Sequence, residues 1–209
     1  MSNRFVAFAL VGAMLAVLLG STLPAQAQPG GGGCQLAGTA YFKPGLNNNQ
    51  QNFTYNFVGK LTSCQASPGM NAPASGVVTA GRVFTHAGQR FQEPIPKGNG
   101  SCGEGTTRGI AIAKWAGGSY SVIKYSTQSL TGAVVLQGTP GVIASVKLKA
   151  IHPRPSHPRS YTVKSTAYNG DGALGTLTFS PKPDPTACAG TTGVASAGIS
   201  GFTGLGSEQ

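Results

Sequence analysis

Few side chains in this 209-residue chain could perform acid–base or nucleophilic chemistry. Its five carboxylates are Glu93, Glu104, Asp171, Asp184 and Glu208. Glycoside hydrolysis needs two carboxyl groups a few ångströms apart, and Glu93 and Glu104 flank one long connection. Glu93 precedes a proline and Glu104 lies between glycines, so we predict solvated side chains for both. Asp171, in the NGDG segment, is predicted to be a turn residue. The sequence therefore indicates no catalytic residues.

Serine and histidine side chains form no recognisable site either. Residues 121–124 (SVIK) match the SxxK spacing of penicillin-recognising enzymes, but that mechanism needs a helix. Alternation here predicts a strand with Ser121 and Lys124 on opposite faces. His86 follows a predicted strand, and His152 and His157 lie in HPRPSHPR (152–159), where prolines favour an extended backbone. Without a CxxC or HxxxH pair we predict no metal site and no cofactor.

The start of the chain, MSNRFVAFALVGAMLAVLLGSTLPAQAQ, has the layout of a secretory signal peptide. Arg4 precedes an apolar run at residues 5–20, and Ala25-Gln26-Ala27 forms a small-x-small cleavage site. The alternative is an uncleaved membrane anchor, but the run is shorter than the ~20 residues of a spanning helix. We expect a signal peptide at residues 1–27, a flexible Gly-rich lead-in at 28–33, and a soluble, secreted, extracellular domain at 34–209.

Four cysteines remain after this cleavage: Cys34, Cys64, Cys102 and Cys188. An even number in an exported chain predicts two disulfides, for which three pairings are possible. A weak internal sequence similarity relates FVGKLTSCQASPGMNAPASGVVTAG around Cys64 to LGTLTFSPKPDPTACAGTTGVASAGISG around Cys188. If it reflects two related halves, Cys34–Cys64 and Cys102–Cys188 are the equivalent bridges. Compositional bias alone could produce the same match.

Most of the elements that would position these residues are predicted strands. Residues 106–138 are predicted to form a hairpin that turns at Gly117-Gly118, followed by a third strand. Residues 53–63 alternate most clearly, with Phe53, Tyr55, Phe57, Gly59 and Leu61 on one face. About ten short strands and no long helical pattern indicate either a β-sandwich or a closed barrel. We expect a single all-β domain, an antiparallel β-sandwich stapled by disulfides.

The formal net charge of +10 favours anionic partners, although solubility alone could explain it. Residues 142–150 and 161–168 are predicted to pair across the HPRPSHPR loop. Alternation would then place cations on one outward face, and no acidic residue lies between Glu104 and Asp171. The candidate polyanion-binding residues are Lys147, Lys149, Arg154, Arg159 and Lys164. The alternative is that they are ordinary solvated charges, which keep an exposed sheet from pairing with another chain.

The segments SVIKYSTQSLTGAVVLQG, ALGTLTFSP and GISGFTGLGS resemble those of a group of uncharacterised secreted β-rich proteins from actinobacteria. The resemblance covers most of the chain after the signal peptide and implies export and a β-rich fold. It implies no catalytic residues.

From the residues themselves we expect a secreted, non-enzymatic protein that acts at the cell envelope or in the extracellular medium as a binding or structural module. An anionic polymer or a cell-envelope glycan is its candidate ligand. The alternative is a secreted hydrolase whose catalytic residues are not recognisable in the sequence. In a hydrolase, at least two of the carboxylates and histidines should converge in a cleft.

Overall fold

The computed structural model describes residues 32–66, 75–130, 132–138, 141–153, 158–180 and 184–206. The predicted signal peptide lies outside the described residues, as do Arg154, His157 and Glu208. Most of the predicted lead-in also lies outside, but Gly32 and Gly33 already belong to the first strand. None of the helical residues that the structure describes forms a segment of the length and hydropathy that spanning a bilayer needs.

The protein is all-β, with fourteen strands and a short helix in the described residues. The elements are β1 (Gly32–Leu46), β2 (Gln51–Ala66), β3 (Gly76–Ala80), β4 (Val83–His86), β5 (Gln89–Gln92), β6 (Lys97–Gly100), β7 (Glu104–Trp115), β8 (Tyr120–Leu130), β9 (Ala133–Gly138), β10 (Val142–Ile143), β11 (Ser145–Ala150), β12 (Ser160–Lys164), β13 (Gly172–Phe179), α1 (Pro185–Ala189) and β14 (Val194–Gly206).

Ten of these strands close into an antiparallel barrel with eight positions in its wall. In chain order the positions are β1, β2, β3 together with β6, β7, β8, β9 together with β10, β13 and β14. Strand β14 pairs with β1 from Gly32↔Leu205 to Leu46↔Val194, which closes the ring. Each wall position therefore neighbours the one before it in the sequence.

Two wall positions are each shared by two short strands. Strand β3 pairs with residues 57–61 of β2, and β6 pairs with residues 51–54 of the same strand. Likewise β10 and β9 pair with successive parts of β8. The chain leaves the wall after β3 to form the β4–β5 hairpin and after β10 to form the β11–β12 hairpin. These two hairpins join through β5 and β11 into a four-stranded half-barrel.

The half-barrel packs on the outer face of the β7–β8 hairpin. The buried side chains of this second core are Phe91, Ile112, Val122, Val146, Leu148 and Val163. Neighbouring residues of the same two strands, such as Ala111 and Tyr125, point into the barrel core. The predicted hairpin is confirmed, with Gly118 at a φ of 83° in its turn. Because both faces of the hairpin are buried near its turn, this part of it joins the two cores.

The alternation predicted for β2 is also confirmed. Phe57 is buried in the barrel, whereas Lys60 is exposed. The ring of Phe57 lies over two glycines of the wall: a Cβ on Gly38 would lie 2.6 Å from its Cζ atom, and one on Gly59 2.7 Å. The absence of side chains at these two positions therefore makes room for the ring.

Two disulfides cross-link the barrel, Cys34–Cys64 and Cys102–Cys188. This is the pairing that the internal sequence similarity favoured. The first joins β1 to β2. The second joins the turn after β6 to α1, which Asp184 caps by accepting a 2.8 Å hydrogen bond from the backbone N–H of Thr186. Two disulfides indicate an oxidising environment.

Three expectations about the fold need correction. The strands form a closed barrel with a half-barrel against it rather than two sheets stacked face to face. There are more strands than the predicted ten, and α1 was not predicted. The stretch from Val142 to Ala150 is not one strand, because Val142 belongs to the barrel core and Val146 to the half-barrel core. Ala144 is exposed where the chain crosses between them.

Candidate functional site

The predicted cationic face lies on the outer surface of the half-barrel. Lys147 and Lys149 are exposed on β11, between the buried side chains of Val146 and Leu148. Lys164 is exposed on β12, where it pairs with Ser145 and so lies diagonally across from Lys147. The side chains of such diagonal neighbours can reach one another. The structure therefore brings these three lysines together on one face.

One cation outside the predicted set lies beside this face. Arg90 is exposed on β5, next to Gln92, which pairs with Lys149. Arg159 is exposed just before β12, and its carbonyl accepts a hydrogen bond from the N–H of Ala150. The four strands of the half-barrel contain no carboxylate. Arg154 lies outside the described residues.

A second group of cations, absent from the predicted site residues, lies on the barrel wall. Lys43 pairs with Thr54, Thr54 with Lys97, and Lys97 with Arg108, so one row crosses four strands. An outer groove along this row is also lined by Asn52, Asn99, Thr106, Ser126, Gln128 and Gln137. Lys97 and Arg108 lie on two strands joined by a short turn, whereas Lys43 is far from both in the sequence. Alternation within each strand indicates outward side chains, but only the strand order places them in one row.

Glu93 is not solvated as predicted, because only 2% of its surface is exposed. Its carboxylate accepts hydrogen bonds from Thr79 Oγ1 at 2.6 Å and from the backbone N–H of Arg82 at 3.0 Å. Burial raises the pKa of this carboxyl, and the two hydrogen bonds offset part of that effect. Glu93 thus ties the returning end of the β4–β5 hairpin to the barrel wall at β3.

The remaining described carboxylates have separate partners. Glu104, exposed as predicted, accepts a hydrogen bond from Gln50 Nε2 at 3.0 Å. Asp184 caps α1, and the hydrogen bonds from Thr186 lower its pKa. Asp171 follows the turn at Gly170, as predicted, and burial raises its pKa. Among the described residues, no hydrogen-bond partner is shared by two carboxylates.

Ser121 and Lys124 lie on opposite faces of β8, as predicted. Ser121 is fully buried; its Oγ accepts a hydrogen bond from Trp115 Nε1 and donates one to the carbonyl of Ala167. Of the histidines, exposed His86 stacks on Tyr161 with ring centroids 4.0 Å apart, and His152 lies after β11. The part of the chain that the structure describes holds no cluster of three or more metal-ligating side chains.

The interior of the barrel holds an apolar cavity of about 160 Å³. Its described lining extends from Gly33 and Gln65 near one end of the barrel to Leu46 and Cys102 near the other. No sequence pattern pointed to a role for this interior, although the inward positions of β2 that line it, including Phe53, Tyr55 and Phe57, were predicted to share one face. Alternation can show that a face is buried, but whether space remains inside the barrel depends on how the strands close into a ring.

Four hydroxyl groups form a chain along the wall of this cavity. Tyr125 and Tyr55 share a hydrogen bond of 2.7 Å, Tyr55 and Thr107 one of 3.0 Å, and Thr107 and Thr127 one of 2.7 Å. Burial raises the pKa of both tyrosines, and for Tyr125 the neighbouring Tyr55 and Glu93 raise it further. Both phenols are therefore neutral at physiological pH.

Comparisons with protein families, with curated proteins and with solved structures find no significant match to this chain.

Proposed function

We propose that this is an exported, non-enzymatic protein that binds an anionic polymer, such as an acidic glycan of the cell envelope, on the outer face of the half-barrel. The observation that carries the proposal is the placement of Lys147, Lys149 and Lys164 on one exposed face. Arg90 and Arg159 extend this cationic face. A chain with regularly spaced negative charges could bind several of these cations at once.

The charge balance around the cationic face supports this proposal. The strands of the half-barrel contain no carboxylate, and Glu93, which directly follows β5, is buried, accepting hydrogen bonds from Thr79 and Arg82 instead of being exposed on the cationic face. Cations held close together without neutralising partners repel one another. An anionic polymer would relieve that repulsion and release its own counterions. The hydrolase alternative lacks comparable support, because its candidate carboxylates do not share partners.

The test is binding of dextran sulfate to the chain without residues 1–27, at low and at moderate salt, with uncharged dextran as the ligand control. We expect binding that weakens with salt. The variant Lys147→Gln/Lys149→Gln/Lys164→Gln should lose most of the affinity. Its salt dependence should also be shallower, because fewer counterions are released when fewer sulfate groups are neutralised.

A matched control removes the same number of charges elsewhere. The variant Lys43→Gln/Lys97→Gln/Arg108→Gln has the same net charge but keeps the half-barrel face intact, so it should bind nearly as tightly as the wild type. If both variants weaken equally, net charge rather than this face drives binding. If only the control variant weakens, the groove on the barrel wall is the site. Either result, or no binding by the wild type at low salt, would refute the assignment to the half-barrel.

A further inference from the structure

Side chains do not fill the barrel interior completely. A barrel of this size can have an interior that side chains fill completely, or it can keep space for one small ligand. Here several inward positions along the cavity hold the smallest side chains: Ala40, Ala80, Gly105, Ala111 and Ala173. Larger residues at these positions would fill the interior. The remaining space of about 160 Å³ is similar to the ~150 Å³ engineered apolar cavity that accepts benzene.

The hydroxyl chain has one donor more than it uses. Tyr55, Tyr125, Thr107 and Thr127 contribute one hydroxyl proton each, and three hydrogen bonds connect them. One proton therefore remains, at Tyr125 or at Thr127 if all the hydrogen bonds run in one direction. In the described part of the protein neither of these two hydroxyls has another hydrogen-bond acceptor. All four residues line the cavity, so this donor is available to a bound molecule.

The lining of the cavity also limits the charge that a bound ligand can carry. None of the lining residues that the structure describes is ionised at neutral pH, and the hydroxyl chain is its main polar feature. An ion would lose its hydration there without gaining an opposite charge, which is strongly unfavourable. A neutral molecule that is mostly apolar loses little when it leaves water.

We propose that the barrel interior binds one compact, uncharged molecule about as large as a single aromatic ring, with a hydrogen-bond acceptor that faces the Tyr55–Tyr125–Thr107–Thr127 hydroxyl chain. Apolar side chains surround the ring, and the spare hydroxyl proton orients the acceptor. This site is separate from the cationic face of the half-barrel. The triple lysine variant of that face should therefore leave it unaffected.

Anisole and ethylbenzene are suitable probes because they have the same number of heavy atoms and only anisole has an acceptor. Trp115 lines the cavity and is the only tryptophan in the sequence, so its fluorescence reports occupancy. We expect saturable binding of both probes, with anisole preferred by about fivefold because of one neutral hydrogen bond. Benzoate, which is charged, should not compete. Absence of saturable binding by either neutral probe would overturn the proposal.

Two substitutions test whether the probes bind inside the barrel. Ala111→Phe places a ring in the cavity and should abolish binding, whereas Ala144→Phe, the same substitution at an exposed alanine, should not. If Ala111→Phe does not fold, the smaller change Ala173→Leu provides the same test. Unchanged binding in a folded cavity-filling variant would show that the probes bind elsewhere and would refute the site.

The ends of the hydroxyl chain test the orientation of the ligand. Tyr125→Phe and Thr127→Val each remove the hydroxyl at one end of the chain. At least one of them should abolish the anisole preference, so that the two probes bind about equally. Ser126→Ala, on the outer face of β8, serves as the control and should keep the preference. If neither end variant changes the ratio of the two affinities, the hydroxyl chain does not recognise the acceptor and that part of the proposal is wrong.

Discussion

Tyr55 and Tyr125 form a hydrogen bond across the inside of the barrel, with 2.7 Å between their hydroxyl oxygens. They belong to β2 and β8, which are not neighbours, because β7 and the position shared by β3 and β6 lie between them. The bond therefore links two parts of the wall directly through the core. It also ties the stability of the barrel to the protonation of two phenols.

Stability should fall at alkaline pH because of these two tyrosines. Their pKa values are raised in the folded protein, so the unfolded chain releases these protons first, near the ordinary tyrosine pKa of 10.0. The stabilisation is complete below that pH and is lost as the pH rises towards the folded-state pKa values, by up to ~1.4 kcal/mol per pH unit for each tyrosine. Urea unfolding of the wild type and Tyr125→Phe above pH ~10 should show a shallower decline in the variant. Equal slopes would contradict this expectation.

Glu93 should affect stability in the acid to neutral range. Its folded-state pKa is raised by burial, so its contribution is complete below the ordinary pKa of a glutamate and is lost as the pH rises through the folded-state value. Glu93→Gln lacks this titration. The stability of the wild type relative to Glu93→Gln should therefore decrease from acid to neutral pH, as measured by urea unfolding. A difference that stays constant with pH would show that Glu93 does not titrate abnormally.

Removing the Glu93 side chain should cost more than neutralising it. Glu93→Ala leaves the hydroxyl of Thr79 and the backbone N–H of Arg82 without their acceptor, for which we expect a loss of ~1–3 kcal/mol in the free energy of unfolding at neutral pH. Glu104→Ala, at an exposed carboxylate, is the control and should change stability by less than ~0.5 kcal/mol. Similar losses at the two positions would mean that the buried hydrogen bonds contribute little.

Phe57 and Lys60 test the register of β2. Phe57→Ala should lower the free energy of unfolding by roughly 3–5 kcal/mol, because it empties the space over Gly38 and Gly59 in the barrel core. Lys60→Ala, three residues away on the exposed face, should stay within about 0.5 kcal/mol of the wild type. Chemical denaturation of the two variants measures both values, and equal losses would mean that the strand register is wrong.

The two disulfides should stabilise the protein unequally. In the chain-entropy description, the bridge between Cys102 and Cys188, separated by 86 residues, stabilises by roughly 4–5 kcal/mol. The bridge between Cys34 and Cys64, separated by 30 residues, stabilises by roughly 3–4 kcal/mol. Double Cys→Ser variants compared by thermal unfolding should show the larger loss for the first bridge. Thiol titration of the denatured, unreduced wild type should find no free thiol, and two free thiols would contradict the pairing.

The local parts of the fold could be predicted from the sequence, and the long-range parts could not. Gly117-Gly118 and the alternation in β2 depend on neighbouring residues, so the hairpin and the buried face of Phe57 were predicted correctly. The choice between a sandwich and a barrel depends on whether Gly32 pairs with Leu205, and no local pattern records that pairing. The strand pattern was compatible with both architectures, so it could not exclude the sandwich that we expected. The pairing of β1 with β14 shows that the expectation was wrong.

The candidate sites show the same limit. Lys147, Lys149 and Lys164 lie on two strands joined by one loop, so alternation was sufficient to group them. Glu93 lies in a Gly/Pro-rich connection and has the local features of a loop residue, yet the half-barrel that forms around it buries it. The hydroxyl chain combines residues of β2, β7 and β8, whose proximity depends on the closure of the ring.

The closure of the ring by β14 has a consequence for how the chain reaches its native state. Until residues 194–206 are in place, β1 and β13 each have a neighbour on only one side. Both would then present rows of unpaired backbone donors and acceptors, which can template pairing with another polypeptide. A nascent or truncated chain that lacks β14 should therefore aggregate through these two edges. The last described strand thus protects the protein against aggregation and also completes its core.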